Sequence, residues 1–216
     1  MIYRSAVTVL EVAESYDLVT LEAVKAYFAI PIVTDDPNDA KLQLLITFQS
    51  KVIADYCDRV FAREKVSEKI YTSGLDEIGK SIAVPLTRWP VTSIESLSLD
   101  GSDITDYKLD AKSGVLRGNF VGSELDVAYE AGYLLPWNAP GPLSLAVIDM
   151  VRQSYFYGSR DPMIQMVSDN TAGSIRFFPP PGISSRGSGG GSGAKGSPLT
   201  STATALVQPY RRPGMA

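Results

Sequence analysis

Histidine is absent from the 216-residue sequence, and cysteine occurs once, at Cys57. A zinc site needs three or four ligands drawn mainly from Cys and His, so neither structural nor catalytic zinc is expected. Ser-His-Asp and Cys-His catalysis both require an imidazole base and are excluded in their usual form. One cysteine cannot make an intrachain disulfide. Cys57 sits among apolar helix positions and reads as a buried, inert thiol. No apolar run reaches the ~18 residues of a membrane-spanning helix. Met1-Ile2-Tyr3-Arg4 leads into a stretch broken by Glu11 and Glu14, which is not a secretory signal. No cofactor or metal is expected, and no enzymatic activity.

Acidic residues are also missing from one part of the chain. Residues 171–216 contain no Asp or Glu but hold Arg176, Arg186, Lys195, Arg211 and Arg212, a net +5. The first 170 residues carry 24 acidic and 15 basic groups, a net −9, so the overall −4 conceals a split. An acidic body does not bind nucleic acid by neutralising phosphates. A basic tail is drawn to an acidic surface, on protein or on DNA.

What is present describes an ordered body. Apolar residues make up 44% of the chain, enough for a globular core. A short strand is expected at Ala6–Val12. Thr20 caps a helix from Leu21 to Phe28 that Pro31 stops. Asp36 and Pro37 are suited to the N-cap and first position of a long helix, expected over 37–58. Leu42, Leu45, Ile46, Gln49, Val52, Ile53, Tyr56 and Val60 share one face of it, with Lys41, Gln43, Lys51, Asp55 and Asp58 opposite. Arg59 and Arg63 close that helix and complement its dipole. From 65 to 133 the period becomes two. Leu97 and Leu99 alternate with serines before an Asp100-Gly101 turn, Ser113-Gly114 turns the chain again, and Leu125, Val127 and Tyr129 alternate with polar neighbours. Pro85 and Pro90 make Ile82–Val91 an edge or a connector. Leu143, Ala146, Val147, Met150, Val151, Ser154 and Tyr155 line a third helix, over 142–157, with Gly158 as its cap.

The fold class that follows is α+β: a small helical bundle with an antiparallel β-meander insertion and an extended C-terminal tail. The expected organisation is an N-terminal arm at 1–19, a body at 20–158 with its first helix at 20–29, and a tail at 159–216. Six of the ten residues in 187–196 are glycine, a flexible connector, either native or a cloning linker. Leu206, Val207, Tyr210, Arg211 and Arg212 beyond it are residue types that make interfaces.

Other motifs carry less. Gly74–Ser81 fits the phosphate-loop pattern, but Asp76 and Glu77 put carboxylates where phosphate belongs, and Pro85 opposes the helix that should follow. A β-turn loop is the expectation, with a nucleotide-binding enzyme as the alternative. Asp35, Asp36 and Asp39 lack calcium-loop spacing and read as helix capping. Asp103 and Asp106 read as solvated loop charge. Trp89 and Trp137 either pack the sheet or anchor a partner.

The order of the segments resembles the head–tail connector (adaptor) proteins of tailed bacteriophages and gene transfer particles. The resemblance lies in Leu18–Tyr27, in the helix ending Ile53-Ala54-Asp55-Tyr56-Cys57-Asp58-Arg59, in Leu86–Ile94, and in Val127-Ala128-Tyr129-Glu130-Ala131-Gly132-Tyr133 followed by Pro140 and a helix. It covers about Leu18–Tyr157. The sequence departs from the family pattern at Phe28-Ala29-Ile30-Pro31 and after Gly158. The resemblance implies a homo-oligomeric ring of about twelve subunits, located in the virion neck and assembled in the host cytoplasm. Its implied partners are a portal protein on one side and a tail-side neck or stopper protein on the other. DNA would pass through the lumen without sequence-specific binding, and there would be no membrane contact. Leu206, Val207, Tyr210, Arg211 and Arg212 are the expected portal-binding residues. Another neck or tail-completion protein is the alternative.

Overall fold

The computed structural model describes residues 4–31, 36–71, 82–158, 166–169, 173–176 and 199–212. The polypeptide divides into two compact units. One is built from residues 1–16 and 60–138, the other from 17–59 and 139–216. This division crosses the arm, body and tail boundaries expected from the sequence. The phosphate-loop-like Gly74–Ser81, Asp35 and the glycine-rich 187–196 lie outside the described residues.

The first unit is a β structure. Strand β1 (Arg4–Glu11) pairs antiparallel with β2 (Glu64–Tyr71), and β2 pairs with β8 (Glu124–Ala131). Beyond β8 come β4 (Val91–Leu99) and the two-residue β5 (Ser102–Asp103), giving the order β1-β2-β8-β4-β5. A second sheet has the order β3-β7-β6, from β3 (Ile82–Pro85), β7 (Val115–Gly118) and β6 (Tyr107–Asp110). The single sheet expected from the alternation is therefore two. Pro85 sits on edge strand β3, where its missing N–H is tolerated.

One core joins the sheets: Val66, Ile70, Leu97, Leu125, Val127 and Tyr129 from the larger, Val84 and Leu116 from the smaller, and Phe120 between strands. Strand β8 alternates strictly, with Leu125, Val127, Tyr129 and Ala131 buried. Asp100 (φ 49°) and Gly101 (φ 81°) form the tight β4–β5 turn, whose left-handed backbone suits the strand twist.

Two carboxylates share the inward face of β2, in phase with Val66 and Ile70. Glu68 is fully buried and accepts hydrogen bonds from the Tyr129 hydroxyl (2.6 Å), the Thr87 amide (3.0 Å) and the Thr87 hydroxyl. Glu64 accepts from the Tyr16 hydroxyl at 2.6 Å and lies 3.5 Å from Arg88. Burial and then the Glu68 charge push the Tyr129 phenol well above its ordinary range. The network ties the Thr87–Arg88 turn to the sheet centre at the desolvation cost of a buried carboxylate.

The second unit is helical. Helix α1 (Leu21–Tyr27) starts where the Thr20 side chain accepts from the Ala23 amide at 3.2 Å. It ends before Pro31, with Ala29 already at φ 55°. Helix α2 runs Asp39–Cys57 and α3 runs Gly141–Gly158. The N-cap of α2 is Asn38, not Asp36. The Asp36 carboxylate instead closes a turn over Pro37, accepting from the Asn38 amide at 2.9 Å, because a proline cannot donate. That backbone hydrogen bond is the leading cause that lowers the Asp36 pKa. The Lys25 ammonium, 2% exposed, lies 2.5 Å from Asp39 and 3.8 Å from Asp36. These acids neutralise a buried lysine, a role beyond capping.

The buried face of α2 is Leu42, Ile46, Ser50, Ile53 and Cys57. Ser50 occupies a core position because its hydroxyl accepts from the Leu18 amide at 3.0 Å. The Leu18 carbonyl accepts from Ser144 of α3 at 2.8 Å. Leu143, Ala146, Val147, Met150 and Val151 are buried on α3, as the period predicts. Arg59 and Arg63 both lie past the end of α2 rather than in its last turn. Strands β9 (Met166–Asp169) and β10 (Gly173–Arg176) pair antiparallel in this unit.

Gly132 closes the β unit at a point where no side chain fits. Its φ is 111°, and an added Cβ would meet the Ala62 carbonyl oxygen at 2.2 Å. Gly132→Ala is expected to destabilise the protein by ~3 kcal/mol or more. A urea denaturation series followed by fluorescence measures this.

Candidate functional site

The C-terminal segment is the part the sequence marked for an interface, and its local chemistry makes it helical. Thr200 is extended (φ −63°, ψ 159°) and caps α4 (Ser201–Val207), accepting from the Ala203 amide at 2.9 Å. Pro209 turns the chain into a 3₁₀ turn, Gln208–Tyr210. The tail expected to be extended is thus helical at 201–207. Leu199, Ala203 and Val207, spaced by four, form one apolar stripe and are all buried. Burying that stripe against the neighbouring helices stabilises a helix too short to persist alone.

The seat for this stripe is made by α2 and α3. The Thr200 hydroxyl donates to Asp149 of α3 at 2.8 Å. The Cys57 thiol, at the end of α2, lies 3.9 Å from the Val207 carbonyl. The Arg212 amide donates to the Cys57 carbonyl at 2.9 Å, and Arg59 donates to the Tyr210 carbonyl at 3.1 Å. The Arg211 guanidinium sits 5.4 Å from the Tyr56 ring centroid.

The five sequence-derived interface residues therefore gather at one end of the helical unit, in two roles. Val207 is 0% exposed and packs inside its own chain. Leu206, Tyr210 and Arg212 are half-buried, and Arg211 is exposed. Val207 follows Ala203 by four positions and Leu206 by one, so one turn of helix must point the two side chains in different directions. The sequence pattern indicates no helix here and so does not separate them.

Cys57 is fully buried, and burial pushes its thiol up to about 11. The sole cysteine is buried, as expected.

Other surfaces of each unit are apolar or charged. On the helical unit, Leu44 and Phe48 of α2 are exposed, one turn apart. Tyr27, Phe28, Tyr155 and Phe156 form an aromatic cluster with ring centroids 5.6–6.2 Å apart, and Lys41 lies 5.1 Å from the Tyr155 ring centroid. On the β unit, a cleft of about 210 Å³ is lined by Glu11, Arg63, Lys65, Glu130 and Leu134, among others. Trp137 is 74% exposed, whereas Trp89 packs on the Gly114 turn. Asp103 and Asp106 are both exposed. Among the described residues no group of three His, Cys, Asp or Glu side chains is placed to hold a metal ion. No described helix is long and apolar enough to cross a membrane.

Sequence reading missed two things here. One was the buried Glu64–Glu68 pair, whose signal was its period-two phase with Val66 and Ile70. The other was Asp149, which had no signal until Thr200 was placed beside it.

No family model matches the sequence, and no curated protein matches it. Solved structures do match in fold. A chain in the neck of an empty gene transfer agent (GTA) particle, computed with C6 symmetry, superposes with a TM-score of 0.54 at 13% identity, over 98% of this chain and 97% of that one. Chains of a native GTA virion (11% identity, 97% of each chain) and of a native GTA neck computed with C12 symmetry (12% identity, 98% and 97%) both give TM-scores of 0.49. The first match shows that the α+β fold of this chain is the fold of a particle neck component along nearly its whole length.

Thiol chemistry tests the seat of the C-terminal segment. At pH 9 an ordinary thiol is about half ionised, whereas one with a pKa near 11 is ~1% thiolate. Native protein is expected to react with a thiol reagent at least ~10-fold more slowly than unfolded protein at this pH. Val207→Asp is expected to recover most of the unfolded rate by displacing the segment that covers Cys57.

Proposed function

We propose that this chain is a structural head–tail adaptor subunit in the neck of a phage-like particle, not an enzyme. It forms a ring beneath the portal and extends the DNA channel toward the tail. The observation that carries this reading is the fold shared over almost the full length of both chains with a neck component of a six-fold symmetric assembly. A twelve-subunit ring is compatible with six-fold symmetry. The acidic character of the first 170 residues suits a conduit, since a like-charged wall repels the DNA backbone and lets it slide.

The portal contact in this reading is made by the outer side of the docked C-terminal segment. Leu206 and Tyr210 supply apolar anchors, and Arg211 and Arg212 pair with acidic groups on the portal. Val207 acts from within, holding the segment so that its neighbours are presented. Charge favours the encounter, because the segment belongs to a stretch without any acidic residue.

The double substitution Leu206→Asp with Arg211→Glu leaves the buried stripe intact and is expected to weaken portal binding at least ~10-fold, equivalent to ~1.4 kcal/mol. Deleting residues 197–216 is expected to abolish it. Biolayer interferometry against immobilised portal protein reads both; unchanged affinity in the deletion would refute the portal-docking role.

A further inference from the structure

A cyclic ring is held by head-to-tail interfaces, so every copy must carry two different surfaces that match each other. Each unit of this chain exposes an apolar patch. On the helical unit, the Lys41 ammonium lies 5.1 Å from the Tyr155 ring centroid and joins the outer side of α2, with Leu44 and Phe48, to the aromatic cluster of α1 and α3. Tyr27, Leu44, Phe48 and Phe156 are each 53–58% exposed. Four large side chains half in water reach the roughly 300–600 Å² of apolar surface that marks a functional patch. The charges around them are cationic. Lys41 and Arg152 are exposed, Lys51 is tied to Asp55, and residues 41–51 hold no acid. On the β unit, Val12 and Leu134 line the cleft of about 210 Å³. Trp137 follows in a turn closed by the Asn138 amide, which donates to the Leu134 carbonyl at 2.8 Å. Val12 is 71% and Trp137 74% exposed. Tryptophan is among the residue types that most often anchor an interface. The charges of this cleft are mainly acidic: Glu11 is paired with Lys65 at 2.9 Å, which leaves Glu14 and Glu130 against Arg63.

We infer that around the ring the Val12–Leu134–Trp137 patch on the β unit of one copy docks on the Leu44–Phe48 and aromatic patch on the helical unit of the next. This rests on the ring reading above. Charge selects the pairing. The β unit, residues 1–16 and 60–138, carries 14 acidic and 9 basic groups, a net −5. The helical unit, residues 17–59 and 139–216, carries 10 acidic and 11 basic groups, a net +1. Two β patches brought together repel, whereas a β patch meeting a helical patch sets Glu14 and Glu130 against Lys41 and Arg152. Apolar side chains at the centre with charges at the rim is the ordinary anatomy of an interface. Pairing of either patch with itself would also close a two-fold dimer and end growth there, whereas unlike patches leave each copy ready to receive the next.

Charge exchange tests the pairing. Lys41→Glu with Arg152→Glu makes both patches of a chain acidic, and Glu14→Lys with Glu130→Gln makes both cationic. Sedimentation velocity of the full chain, alone and with portal protein, reads assembly. Each double variant by itself is expected to assemble at least ~10-fold more weakly than the unaltered chain. An equal mixture of the two is expected to recover rings, because every junction between unlike copies then joins opposite charges. Trp137→Ser, at an exposed position, removes the apolar anchor without changing charge and is expected to weaken assembly by a similar factor. Rings that form as before in the double variants or in Trp137→Ser overturn the pairing and leave the ring standing. So does a mixture that stays unassembled, or variants that keep their rings and lose only portal binding. An unaltered chain that stays a single subunit at every concentration, with and without portal, removes the ring reading and the pairing together.

Discussion

The carbonyl groups at the end of α2 need donors, and much of the helical unit is arranged to supply them. Asp58 turns left-handed at φ 51°, which lets its own amide reach the Asp55 carbonyl and the Arg59 amide reach the Ala54 carbonyl. Glycine usually takes this position; aspartate accepts it at a modest cost. The Cys57 carbonyl is satisfied from 155 residues away, by the amide of Arg212. The helix end is therefore finished only when the C-terminal segment is seated. That dependence makes the segment part of the fold.

The β unit follows a different rule. Its larger sheet is fastened by hydrogen bonds to a buried carboxylate, with Glu68 holding Tyr129 and Thr87. Gly132 permits the backbone to pass against Ala62. Both features set the path of the chain where β8 ends and where the Thr87–Arg88 turn crosses the sheet. Neither resembles a catalytic arrangement: the carboxylate is fully hydrogen-bonded and sealed from solvent. These contacts hold the unit to a fixed shape.

Periodicity made most of the fold legible. Leu42, Ile46 and Ile53 on α2, the stripe from Leu143 to Val151 on α3, and Leu125 to Ala131 on β8 all bury the side that their spacing indicated. What spacing does not reveal is pairing across the chain. Asp36, Asp39 and Lys25 are unremarkable in sequence until the turn over Pro37 brings them together. The segment at 199–212 looked extended because it is short and lies in a stretch rich in breakers. Its helix depends on burying Leu199, Ala203 and Val207 against helices more than 40 residues upstream. Of the five residues expected at an interface, position in one cluster was legible; the inward direction of Val207 was not.

The proposed assembly role rests on the fold shared with a gene transfer agent neck chain and on the charge division between residues 1–170 and 171–216. The most direct measurement is electron microscopy of the purified chain, alone and mixed with its portal protein, with class averages sorted by rotational symmetry. The account predicts closed rings, six-fold or a multiple of it, in at least the mixture. Isolated single subunits in both samples would contradict it.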